Sequence, residues 1–358
     1  MSEPQRASAT DLSAGLRRWL ASGAIQADSG ALCAWRDEET SELAFEYPEI
    51  TGYGLTWFAS QAEPTAEEHE AAARAGHWLV ARLGAVGNLS ARDGWDGDNV
   101  YNFDVAMIAS GLLNIGRELD ASSLTDLGLR LVDGLANQID DRQRVPAIAA
   151  GSDGSVRSGW SVDGEAHMLK ALQCFLLAEA AGRTELGDVT DRMAASAGDV
   201  QEADGRFRTQ PVDDRTMLHP HLYAVEGLWT YGVARGDDVV LDRARLGAEW
   251  AWGQRLETGG FPRFVGTVEV DLGEGCPEQF DLTSQALRAA CLFDLDPAGR
   301  EKTVTRLAAV SRRVGDGLAL PYQPAPAPVH HNAWVGMFAA QAAAAAANGG
   351  GLAWSALV

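Results

Sequence analysis

Six short clusters of polar and aromatic residues recur along this chain of 358 residues, each marked by glycine or proline and each running into an apolar helix. They are Tyr47-Pro48-Glu49-Ile50-Thr51-Gly52-Tyr53, Asn99-Val100-Tyr101-Asn102-Phe103-Asp104, Gly159-Trp160-Ser161-Val162-Asp163-Gly164-Glu165, His219-Pro220-His221-Leu222-Tyr223, Pro277-Glu278-Gln279-Phe280-Asp281 and His330-His331-Asn332-Ala333-Trp334. Each follows the last by roughly 50 to 60 residues, the length of one helical hairpin with its loop. If the hairpins close into a ring, all the polar openings meet at one mouth. The repeat therefore gives an architecture and a candidate site together.

The segments between openings alternate in character. Asp11–Ala21, Thr65–Leu83, Ser122–Ile139, Glu185–Asp199, Asp237–Leu256 and Pro297–Val314 carry apolar residues at helical spacing with charge on the other side, as outer helices do. Val105–Ile115, Met168–Ala181, Val225–Val233, Ser284–Leu295 and Val335–Ala347 are apolar almost all round and need neighbours on several sides. Extended pieces at Ala31–Trp35, Arg206–Gln210, Gly260–Val265 and Leu318–Tyr322 predict short ribbons at the rim rather than a core sheet. The expectation is an all-α (α/α)6 barrel, one domain over 1–358, with short β-ribbon loops at the mouth.

A net charge of −21 argues against nucleic acid, which needs a basic face, and disfavours a polyanionic ligand unless basic groups gather locally. No apolar run suits a membrane span, and the first residues lack a secretory pattern. The four cysteines, Cys33, Cys174, Cys276 and Cys291, are scattered, which suits reduced thiols in a cytoplasmic protein. The chain is expected to be a monomer or homodimer. No nucleotide-cradling glycine loop and no Gly-x-Ser-x-Gly elbow is present, so no cofactor is expected. The His219-x-His221 pair with His330-His331 offers no fixed third ligand, so no metal is expected either.

Chemistry concentrates in the openings. Of seven histidines, five (His167, His219, His221, His330, His331) fall at or just inside inner-helix starts. Acids on otherwise apolar helices are costly to bury unpaired, so Asp104, Asp163, Glu226 and Asp281 are read as cavity-facing and catalytic, with His221 and His331. Glu49, Tyr53, Trp95, Tyr101, Asn102, Trp160, His167, His219, Tyr223, Gln285, His330, Asn332 and Trp334 are read as substrate-binding, since flat rings beside hydrogen-bonding groups suit a sugar. Arg288 shares a face with Asp281 and Gln285, where it either holds a substrate carboxylate or phosphate or neutralises Asp281 or Glu226 across the barrel. Trp57 and Trp229, deeper in their helices, are expected in the core.

Gly259-Gly260-Phe261-Pro262 followed by Phe280-Asp281-Leu282-Thr283-Ser284-Gln285-Ala286-Leu287-Arg288 resembles the unit of six-hairpin toroids. Tyr47–Tyr53 and His331-Asn332-Ala333-Trp334 are similar to pieces of bacterial sugar-processing (α/α)6 barrels. The resemblance implies a saccharide or oligosaccharide substrate, but the fold hosts glycosidases, unsaturated-uronide hydrolases, lyases, epimerases and, as relatives, terpene cyclases. In the uronide hydrolases, aspartates on early inner helices do the acid–base work, and Asp104 and Asp163 occupy those hairpins. In the sugar 2-epimerases, catalytic histidines come from the fourth and sixth hairpins, where this chain has His219 or His221 and His331. It departs there, because His221 precedes Glu226 by five residues where the epimerases space histidine and glutamate by three. Hydrolysis is placed ahead of epimerisation, with a saccharide-binding protein of polysaccharide synthesis as the non-catalytic alternative. A terpene-cyclase toroid would want an Asp-x-Asp-Asp motif, which Asp96-Gly97-Asp98-Asn99 misses.

Overall fold

A computed structural model describes residues 8–86, 99–149, 165–209, 215–266, 278–325 and 328–358. The outer helices are α1 (Ala9–Ala21), α3 (Ala66–Val86), α5 (Ser122–Ala136), α7 (Gly187–Ala195), α9 (Asp238–Trp252) and α11 (Pro297–Val310). The inner helices are α2 (Pro48–Ala59), α4 (Asn102–Glu118), α6 (Leu172–Ala180, led by a 3-10 turn at Ala166–Ala171), α8 (Leu218–Arg235), α10 (Phe280–Leu292) and α12 (Ala333–Asn348). The inner helices touch in the order α2, α4, α6, α8, α10, α12 and back to α2, which closes an (α/α)6 toroid. No helix among the described residues is long and apolar enough to cross a membrane.

Local chemistry sets the starts. Ser8 and Asp11 form a capping box on α1, Asp237 caps α9 by accepting from the Val240 N–H, and Asp296 accepts from Gly299 just before Pro297 opens α11. The outer helices bury one stripe, whereas α2, α4 and α10 are buried over nearly their whole length. Close approach needs glycine at two of the inner contacts. A Cβ on Gly52 would collide with the Ile108 backbone of α4, and one on Gly111 would collide with the Gly52 carbonyl. Those glycines bring α2 and α4 together, which matters below for the acids they carry.

Among the described residues three two-stranded antiparallel ribbons lie in the loops, while the piece expected at Arg206–Gln210 makes only an isolated bridge between Gln201 and Phe207. The ribbons pair β1 (Trp35–Asp37) with β6 (His330–Asn332), β2 (Thr216–Met217) with β3 (Phe264–Val265), and β4 (Arg312–Val314) with β5 (Gly317–Ala319). The first ribbon joins the two ends of the ring. Two boundaries differ from the periodicity. Helix α11 stops at Val310, because residues 312–314 turn back through Gly315 (φ +56°) into a hairpin. The fourth opening is itself helical, with α8 beginning at Leu218 rather than near Val225. Trp57 and Trp229 are buried in the core as expected.

Candidate active site

The first turns of the inner helices bring part of their polar and aromatic side chains into one cluster. Glu49 on α2 and Asp104 on α4 lie in the first turns of helices held close by Gly52 and Gly111. Burial first, and then the Asp104 charge, push the Glu49 carboxyl well above the ordinary carboxylate range. Across the ring, Asp281 on α10 feels the Trp334 indole of α12 and lies 3.7 Å from the His219 imidazole of α8. Burial raises the Asp281 carboxyl, and His219 opposes that rise. Burial lowers the His219 imidazole, which Asp281 pulls back up. The His219 side chain is 31% exposed where Asp281 is 3% exposed, so it faces the opening.

Between these walls, Tyr53 donates to the Tyr223 hydroxyl at 2.8 Å. Phe103 stands 4.7 Å from the Tyr223 ring and Phe338 5.5 Å from the Tyr53 ring. His167, in the 3-10 turn before α6, packs on Phe103, and burial followed by the nearby His219 holds it neutral, with a pKa of about 4. The wholly buried Gln285 amide approaches His219 without forming a well-made hydrogen bond. A buried amide in that state is poised for a ligand hydroxyl, which can both accept and donate.

One layer deeper the chemistry changes. Glu226, Arg288 and Lys170 are all fully buried. Arg288 closes on Glu226 through Nε and Nη2, Lys170 Nζ reaches Glu226 Oε2 at 3.1 Å, and Arg288 Nη1 donates to Gln341 Oε1 at 3.0 Å. Burial raises the Glu226 carboxyl, but Arg288 and Lys170 outweigh it and hold it below the usual range. Burial lowers Lys170 to about 8. The 3-10 turn Trp354–Ala356 and the residues after it lie beneath, where the Ser355, Ala356 and Leu357 carbonyls accept from Asn114, Gln341 and Lys170. This layer is the floor. Arg288 neutralises Glu226 across the barrel, the second of the two roles open to it, and Glu226 meets Arg288 and Lys170 where the sequence had suggested a catalytic, cavity-facing acid.

Other expected site residues face elsewhere. His221 accepts from the Phe207 N–H at Nδ1 and meets the Gly247 carbonyl at Nε2, so it ties α8 to α9 behind the barrel wall. His331 packs edge-on against Trp19 of α1, away from the mouth. Asn332 caps α12 by accepting from the Val335 N–H at 3.1 Å. Asn102 donates to Gln138 and the Pro146 carbonyl, and Tyr101 is buried with its backbone bridged to Ile148. His330 stacks on Trp35 at 4.8 Å, beside Asp37, on the ribbon joining the ring's ends. Trp95, Trp160 and Asp163 lie outside the described residues. Glu49, Tyr53, Asp104, His167, His219, Tyr223, Asp281, Gln285 and Trp334 converge. Tyr322, which packs on Trp334 and feels the Asp281 charge, joins them although its loop sequence carries no periodic signal. Among the described residues no three His, Cys, Asp or Glu side chains gather as a metal set.

Comparison with known structures matches this arrangement across nearly the whole chain. An unsaturated glucuronyl hydrolase from Bacillus sp. GL1 superposes with a TM-score of 0.70 at 15% identity, covering 97% of this chain and 98% of that one. A D-mannose isomerase gives 0.72 at 14%, covering 95% and 98%. A cellobiose 2-epimerase from Bacillus thermoamylovorans gives 0.71 at 10%, covering 93% and 98%. The fold is that of the six-hairpin carbohydrate-active enzymes. No protein-family model matches the chain, and no curated protein matches it.

Within this fold the mouth sets a carboxyl raised by burial beside a second buried acid. The same electrostatics have a thermodynamic consequence. The folded Glu49 carboxyl lies above its ordinary value of about 4.3, so its contribution to stability is full below that value and is lost as pH rises through the folded one. Glu49→Gln carries no charge at any pH. It should raise the melting temperature at pH 8 by roughly 2–4 °C for each kcal/mol of relieved strain, and by little at pH 4. Thermal unfolding at both pH values checks this, and equal shifts at the two would show that Glu49 is not held protonated.

Proposed function

We propose that the chain is a carbohydrate-active enzyme that uses carboxyl acid–base chemistry on a saccharide or modified sugar, with hydrolysis as its reaction. The observation that supports this most is the Glu49–Asp104 pair, buried at the ring's mouth with the Glu49 carboxyl pushed up. One carboxyl of the pair donates a proton to the leaving oxygen or to a ring double bond, and a carboxylate takes a proton from the attacking water. Asp104 is the proposed reacting member, with Asp163 of the third hairpin as its partner by position in the repeat. Tyr53, Tyr223 and Trp334 supply faces and hydroxyl or indole groups for the ring and its substituents, and Gln285 and His219 bind hydroxyls. Shared architecture with an unsaturated glucuronyl hydrolase supports a hydrolytic reading.

Epimerisation by two opposed histidines is less well served. Of the fourth- and sixth-hairpin histidines, His219 faces the mouth while His221 and His331 are turned away. Proton NMR of a saccharide panel in deuterated water separates the readings. A new reducing end or hydrated product is expected. Deuterium entering beside a carbonyl would replace hydrolysis with epimerisation, and no change in any sugar would leave only a binding role.

A further inference from the structure

Two tyrosines span the ring just below the mouth. Helices α2 and α8 stand three places apart in a ring of six, so they face each other across the bore. Tyr53 follows Glu49 by four residues on α2, and Tyr223 follows His219 by four on α8, so each lies one turn deeper on the same face. The Tyr53 hydroxyl donates to the Tyr223 hydroxyl at 2.8 Å and closes a crossbar from wall to wall. Neighbouring rings hold it there. Phe338 lies edge-on 5.5 Å from Tyr53, and Phe103 and His219 lie 4.7 and 4.4 Å from Tyr223. Both tyrosines are almost wholly buried, so neither phenol has bulk water as a partner.

The crossbar leaves one proton over. Tyr53 spends its own on Tyr223, and among the described residues the Tyr223 hydroxyl makes no other hydrogen bond. A buried phenol that only accepts is costly, because its O–H is stripped of water and given no partner. The next acid along α8, Glu226, is closed on Arg288 and Lys170 and makes no bond to Tyr223. A second group nearby is in the same state. Gln285 follows Asp281 by four residues on α10, Asp281 lies 3.7 Å from His219, and His219 rests on the Tyr223 ring. The Gln285 side chain is wholly buried, and neither its oxygen nor its nitrogen has a hydrogen-bond partner. A phenol donor and an amide gathered around one imidazole match a ligand hydroxyl, which accepts from the first and donates to the second.

We propose that Tyr223 and Gln285 read the innermost hydroxyl of the bound sugar ring, with Tyr53 as the positioning residue that holds the Tyr223 oxygen and leaves its proton to the ligand. Tyr223 is then a specificity-determining residue of the pocket. It accepts rings that carry this hydroxyl and rejects those that lack it, since the analogue leaves a buried phenol unpaired. This rests on the saccharide reading above, and the experiment separates the two. Binding of glucose and of its 2-, 3-, 4- and 6-deoxy analogues to the full chain is measured by titration calorimetry, for the wild type, Tyr223→Phe, Tyr53→Phe and the double variant. One deoxy analogue should bind about 10-fold more weakly than glucose, and its position identifies the hydroxyl that is read. Tyr223→Phe should cut that ratio to about twofold, the share left to Gln285. Tyr53→Phe should fall between, and the double variant should match Tyr223→Phe, because Tyr53 acts through the hydroxyl that is then gone. A merely structural pair would weaken glucose and the analogue alike and leave the ratio at its wild-type value. That outcome, or a wild type that discriminates at no position, overturns the Tyr223 proposal and leaves the saccharide reading standing. Failure of all five sugars to bind the wild type overturns both.

Discussion

Asp104→Asn should lower turnover of the responding saccharide by about 10²–10⁴-fold, the usual contribution of a positioned acid or base, while the protein melts at or slightly above the wild-type temperature. Asp104 is almost wholly buried in the first turn of α4, and asparagine keeps its shape. What changes is charge. With the neighbouring anion gone, Glu49 loses the second of the two causes that raise it, so its carboxyl falls toward the ordinary range. The pH–rate profile of the residual activity should therefore shift its limb to lower pH. Steady-state rates across pH 4 to 9 check both effects together. Undiminished turnover would remove Asp104 from the chemistry, and a lost rate with an unshifted limb would separate it from Glu49.

Glu226→Gln should destabilise the protein by about 3–5 kcal/mol, because it leaves Arg288 and Lys170 buried without their counter-ion. That corresponds to a loss on the order of 10 °C in melting temperature. The effect should fall on folding. Lys170→Met in the same chain should recover part of it, since one uncompensated cation is then gone. Calorimetric melting of the single and double variants measures both numbers. A melting temperature within a degree or two of wild type would show that the floor is not an ionised network. His221→Ala belongs to the same class, because both ring nitrogens are engaged by backbone groups of Phe207 and Gly247.

The ring was legible because its signal is long-range. A regular period, glycine or proline at each opening and two kinds of helix leave few ways to bury the apolar faces. The layer holding the site was legible for the same reason, and Glu49, Asp104, His219 and Asp281 meet there. Orientation within the layer was not. His219 and His221 are two residues apart on α8, about 200° round the helix, so one faces the mouth and the other faces α9. His330 and His331 alternate across β6 in the same way, and only His330 stacks on Trp35. The helical phase that decides between them depends on where α8 starts, seven residues before the apolar run suggested.

Depth was the second thing hidden. Glu226 and Arg288 each lie eight residues beyond the start of their helices, so they reach the axis below the tyrosines, where they find each other and Lys170. A signal was present, since Lys170 interrupts an otherwise apolar stretch and a buried lysine needs an anion. Tyr322 closes a piece legible only as a rim ribbon, with nothing to mark it as a site residue, and closure of the ring brings it against Trp334.

Chemical-shift mapping on the inactive Asp104→Asn protein, titrated with the saccharide that the wild type converts, tests most directly whether the hairpin tips form a working pocket. The largest shifts should fall on His219, Tyr223, Gln285 and the Trp334 indole, with Trp19 and His331 unmoved. Shifts gathered on the outer helices, or a saturating titration that leaves the mouth silent, would contradict the assignment of the site.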